Sequence, residues 1–131
     1  MTEYTIHTDL KCAPLEPIDL SVIGAAVTEQ WWNQSLCRVN DCVVRLGVFL
    51  GEFHWHKHDG EDEYFQVLEG ELLVDLRDAA DWGEQAAERT LALAPGQALL
   101  VPRGVVHRTR AAIRAVVLMI EGAKVVPTGD A

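Results

Sequence analysis

Gly51-Glu52-Phe53-His54-Trp55-His56-Lys57-His58-Asp59-Gly60-Glu61-Asp62-Glu63-Tyr64-Phe65-Gln66-Val67-Leu68-Glu69-Gly70 holds three of the five histidines in the chain, at positions 54, 56 and 58. Phe53 to His58 alternates aromatic and polar residues, which reads as a strand. Residues two apart on a strand point to one face, so the three imidazoles are expected to project together. Asp59-Gly60-Glu61-Asp62 has the composition of a turn, and Glu63 to Leu68 reads as the returning strand. That hairpin sets Glu63 beside His56 and His58. Two neutral imidazoles and one carboxylate on adjoining strands suit a first-row divalent metal.

Working outward, the chain reads as short strands between turns. Upstream lies Cys42 to Phe49, rich in β-branched and aromatic residues. Downstream come Glu69-Gly70, a strand over Leu72–Leu76 and a polar loop over 77–89 with room for one helical turn. Thr90–Leu93, Ala94-Pro95-Gly96, Ala98–Val101 and Pro102-Arg103-Gly104 follow, then strands over 106–110 and 113–121 and a loop from Val125 to Asp130. Many short strands with Gly and Pro turns indicate a sandwich or barrel. Residues 1–35 are less regular. Pro14 and Pro17 mark turning chain, and a short helix is expected between Ile18 and Trp32, ending near Trp31-Trp32-Asn33. The chain therefore divides into an N-terminal arm, 1–35, and an all-β barrel, 36–131. His107 follows a tight Pro-Arg-Gly turn at the start of a strand. A sheet closed into a barrel can lay that strand beside the earlier hairpin, which makes His107 the fourth candidate ligand.

His56-x-His58-x4-Glu63-x6-Gly70 and Gly96-x5-Pro102-x-Gly104-x2-His107 resemble the two motifs of the cupin family, in order and with 71–95 between them. Over roughly residues 30–130 the chain is similar to small single-domain cupins described as mannose-6-phosphate-isomerase-like. Two details depart from the pattern. Four residues rather than five separate Gly51 from His56, and Ala111 stands where the second motif often has Asn. Neither removes a ligand. The resemblance implies a cupin jelly-roll β-barrel, often a homodimer, with one divalent metal ion (Fe, Mn, Ni or Zn) inside on His56, His58, Glu63 and His107.

Composition narrows the partners. Eleven Lys and Arg against 20 Asp and Glu leave a net charge of −9, a surface that repels phosphate backbones, so no nucleic-acid partner is expected. No apolar run approaches the roughly 20 residues of a membrane span, and the first residues lack a signal-peptide pattern, so the expected compartment is the cytoplasm. Cys12, Cys37 and Cys42 form no Cys-x-x-Cys pair and read as small buried apolar residues. Trp31, Trp32, Trp55 and Trp82 read as packing, Asp59, Glu61 and Asp62 as a solvated turn, and His7 as incidental. Phe65 shares the parity of Glu63 and is expected to line the cavity. Arg45 and Arg103 are either anion anchors or surface charges.

Two classes of function fit these residues. The first is a metal-dependent enzyme on a small organic molecule, with dioxygenase, isomerase or cyclase chemistry at the two positions that four protein ligands leave open on an octahedral metal. His54, placed where similar proteins carry an aliphatic residue, is then the candidate catalytic base, or else a wall residue. A thiol dioxygenase fits less well, because those cupins usually lack the glutamate. The second class is a non-catalytic sensor or binding module that uses the same cavity.

Overall fold

The computed structural model describes residues 3–77 and 88–129. It is 56% strand and 5% helix, which places the chain in the all-β class. In order, the elements are β1 (Tyr4–His7), α1 (Leu20–Ala25), β2 (Trp31–Val39), β3 (Cys42–Glu52), β4 (Glu63–Glu69), β5 (Leu72–Arg77), β6 (Glu88–Leu93), β7 (Ala98–Val101) and β8 (Val106–Gly122). Among these, no helix is long and apolar enough to cross a membrane.

The 17-residue β8 organises the rest. Its first part, Val106–Arg110, pairs with β5. From Ala115 to Gly122 it pairs with β3, and from Val116 to Glu121 with β4 on its other edge. One path runs β1-β2-β3-β8-β4-β7, while β5 and β6 branch from the start of β8. Hydrogen bonds do not close the described strands into a continuous barrel. The two strands expected over 106–110 and 113–121 are one strand that keeps β3 on one edge, through Arg110 and Ala111 and again from Ala115, and exchanges β5 for β4 on the other.

Strand alternation feeds two cores. Trp31, Phe49, Phe65, Val67, Val117 and Met119 face the interior between the sheets, whereas Trp32, Leu46, Val48 and Val116 face α1. The expected helix is therefore shorter than the 18–32 window. Asp19 caps it by accepting from Val22 N at 3.1 Å, and it ends at Ala25. Trp31 and Trp32 lie on β2 instead, because adjacent strand residues bury large rings on opposite faces. β2 thus begins five residues before position 36, and β1 adds to it in parallel. The polar loop expected over 77–89 falls outside the described residues for 78–87, as does Trp82. Arg77, Glu88 and Arg89 belong to strands.

The expected strand over Phe53–His58 is not regular. The β3–β8 register shifts between Phe49 and Gly51, where Gly51 takes φ +100°, and the ladder ends with Glu52 opposite Arg110. Only His56 keeps a bridge, to His107. At the next turn Gly70 has φ +79°, and a Cβ there would lie 2.3 Å from the Arg114 carbonyl oxygen, so only glycine lets β4 turn this close to β8.

On the outer face of β5, buried Asp75 binds Arg110 Nη2 at 2.8 Å, Arg108 Nε at 2.7 Å and the Thr90 hydroxyl. These bonds, led by Arg110, hold its carboxyl well below the usual 3.8. Asp75 therefore contributes stability above about pH 4, and that contribution is lost as pH falls through the lowered folded-state value. Asp75→Asn is expected to destabilise the protein by about 1–3 kcal/mol at pH 7 in urea unfolding, with the difference shrinking in strong acid.

Candidate metal centre

Backbone bonds bring the four motif residues together. His56 N donates to His107 O at 2.9 Å and His107 N to His56 O at 2.8 Å. The second-motif turn is fastened to the same segment, with Gly104 N donating to His58 O at 2.8 Å and Arg103 N to Asp62 Oδ1 at 3.0 Å. β4 enters between β7 and β8, so Glu63, its first residue, points inward. One ligand atom from each of His56, His58, Glu63 and His107 lies within 4.8 Å of the others. His58, Glu63 and His107 are buried, and His56 is half-buried.

Local hydrogen bonds decide which imidazole nitrogens face this cluster. His56 Nδ1 lies 3.0 Å from His54 O and His107 Nδ1 lies 2.9 Å from Val105 O. A carbonyl only accepts, so both Nδ1 atoms carry the proton and a neutral ring has its lone pair on Nε2. His107 Nε2 is 3.1 Å and His58 Nε2 3.5 Å from the same Glu63 Oε1. On a neutral His107 this sets lone pair against carboxylate oxygen, an arrangement that a bound cation relieves. The donor set, its burial and the carbonyl-held rings all fit a divalent metal.

The charges agree. Burial by itself would raise Glu63, but its hydrogen bonds with His107, His58 and Glu121 outweigh that and hold it ionised well below the usual carboxylate range. Burial first, and then the electrostatic influence of the neighbouring His107, lowers His56 from 6.5 to about 4, so its ring is neutral at pH 7 as a ligand must be.

His54 stands outside the cluster. Its ring centroid is 5.4 Å from that of His56, but its Nε2 bonds Thr128 O at 2.7 Å, because the irregular backbone breaks the strand parity. Phe65 lines the cavity beside the ligands, which measures about 20 Å³, room for about one water. Trp31 and Trp32 pack the cores, while Trp55 lies under the guanidinium groups of Arg77 and Arg108. His7 is exposed on β1 and apart from the site. The free cysteines are half-buried rather than buried.

The interior also holds polar residues the motifs do not include. Arg45 is 4% exposed and its Nη1 lies 3.3 Å from Oε1 of buried Glu121, so Arg45 is no surface charge. Burial, then the neighbouring Glu63, pushes Glu121 up to about 10. Burial raises the Tyr4 phenol well above its usual value, against the lowering effect of the bond it accepts from Asn33 Nδ2 at 3.0 Å. A signal for Glu121 and Arg45 exists in the sequence. Each is the one charge in an apolar run, 115–122 for Glu121 and 42–51 for Arg45, on the parity of Val117 and Met119 or of Phe49.

The family model described as Cupin domain matches residues 50–121, more than half of the chain and all four candidate ligands. The chain belongs to the cupin family. The cupin is 45% identical over 103 residues to the uncharacterized protein YdbB of Bacillus subtilis (strain 168), covering 79% of this chain and 83% of that one. A cupin-2 domain containing protein from Shewanella frigidimarina superposes with TM-score 0.69 at 28% identity, over 80% of this chain and 93% of that chain. An oxalate oxidase solved in complex with glycolate shares the fold alone, with TM-score 0.53 at 23% identity over 63% of this cupin and 42% of that chain.

Between pH 6.5 and about 4 the unfolded chain takes up a proton that half-buried His56 refuses. The metal-free cupin should therefore lose stability as pH falls through that window, with no His56 contribution above it. Thermal unfolding of chelator-treated protein at pH 7 and pH 5 measures this, and His56→Gln should show the shallower dependence.

Proposed function

We propose that this cupin is a mononuclear metal-dependent enzyme acting on a small organic molecule by dioxygenase, isomerase or cyclase chemistry. The observation that carries the reading is the convergence of buried Nε2 lone pairs and the Glu63 carboxylate on one point. His56, His58, Glu63 and His107 hold the ion, which supplies Lewis acidity or a site for O2 when bound. His54 is the proposed proton acceptor. Its Nε2–H is given to Thr128 O, and its Nδ1 has no hydrogen-bond partner among the described residues.

Elemental analysis after loading with Fe(II), Mn(II), Ni(II) or Zn(II) should find about one ion per chain, and His56→Ala or His107→Ala should reduce this to about a tenth or less. Stoichiometric metal in both variants would sink the ligand assignment. The loaded protein should consume O2 or turn over an enolisable substrate, and His54→Ala should slow that about 10²-fold with metal retained. The narrow cavity favours a second reading, a metal-binding or sensor module without turnover. Stoichiometric metal with no reaction across those substrates selects it.

A further inference from the structure

Beside the metal cavity lies a groove of about 580 Å³, within the usual range for small-molecule sites. Its apolar walls include Ile6, Leu10, Val43 and Val125, and its cations are Arg38 and Arg45. No Asp or Glu is among its lining residues, although acids outnumber bases 20 to 11 in the chain. Such a groove concentrates anions against the field of the rest of the surface.

Arg45 is the buried element. Its Nη2 donates to Val125 O at 3.3 Å and its Nη1 lies 3.3 Å from Glu121 Oε1, yet Nε and Nη1 have no partner in hydrogen-bonding geometry among the described residues. A buried guanidinium with donors to spare is the natural seat for a planar carboxylate.

The segment 125–129 is the wall between groove and metal cavity, and Pro127 lines both. Arg45 holds it through Val125 O, and His54 holds it through Thr128 O. Gly129, at φ +97°, lies against His56 so closely that a Cβ there would be 2.5 Å from the His56 Cβ. An anion arriving at Arg45 competes with the Val125 carbonyl for the same guanidinium.

We propose that the groove binds a small organic carboxylate with an apolar body, held by Arg45 and Arg38, and that displacement of the 125–129 wall lets the body reach the metal centre. This deepens the function proposed above. It depends on that reading for the metal and not for the groove.

The probe is hexanoate, with hexan-1-ol as the neutral control, titrated calorimetrically into metal-loaded and chelator-treated protein. Hexanoate should bind about tenfold tighter than hexan-1-ol in both forms. Thr8→Glu with Arg38→Glu, both at exposed lining positions, should weaken hexanoate about tenfold with metal content unchanged. In Co(II)-loaded protein the visible absorption should shift with the same saturation as the heat signal. Equal binding of acid and alcohol, no saturable binding, or indifference to the charge reversal overturns the groove assignment. If the charge reversal instead alters the oligomeric state in light scattering and leaves hexanoate binding intact, the face is an interface between copies and the proposal fails. An unshifted Co(II) spectrum at saturating hexanoate overturns the passage to the metal. Protein that binds hexanoate but no metal keeps the groove and refutes the metal reading, so the two failures are distinguishable.

Discussion

Two backbone hydrogen bonds between His56 and His107 hold together segments 51 positions apart in the chain, at 2.9 and 2.8 Å. Around them the 53–62 segment has no continuous ladder of its own. Its other ties are intermittent, from Phe53 N to Thr109 O and from Gly104 N to His58 O. The positions of the candidate histidines follow from this bridge, while Glu63 is set by the pairing of β4 with β7 and β8. The bridge sets the His56 ring 4.4 Å from that of His107, centroid to centroid, and it brings His58 over the first residue of β4. The Pro102-Arg103-Gly104 turn matters for the same reason, since it delivers His107 at the height of His56.

Much of this was legible in the sequence. Glu63 and His107 could be read because ligand spacing and flanking glycines survive as local pattern. His54 could not be placed by parity, because parity assumes an unbroken strand and the register slip after Phe49 breaks it. Trp31-Trp32 misled for a related reason. Two adjacent aromatic rings suit a helix end or a strand buried on both faces, and only the presence of two cores decides between them. The β1–β2 pairing is parallel and joins residues far apart in the chain, so no local turn signals it.

The interior beyond the ligands is unusually polar for a small β fold. Arg45, Glu121 and Asn33 are each under 5% exposed and lie near Glu63 or its neighbours in the interior. Apolar residues of the same volume would pack there without the cost of desolvating charge. A chain that keeps these groups gives up stability there while holding Glu63 ionised against its burial. Function and packing compete at these residues, and the core around Val67, Leu72 and Val74 is apolar.

The sharing of β8 has a kinetic side. β2 with β3 and β5 with β6 are neighbours in sequence, so these pairs can form early from local contacts. β3, β4 and β5 must each wait for residues 106–122 before their other edges are satisfied. Docking one strand then joins the β3, β4 and β5 parts of the sheet in a single step. A metal ion offered to the refolding chain would meet three of the candidate ligands on residues 56–63 beforehand, but the fourth arrives only with that docking. Complete ligation of an ion at this candidate site would thereby be confined to chains that have already folded.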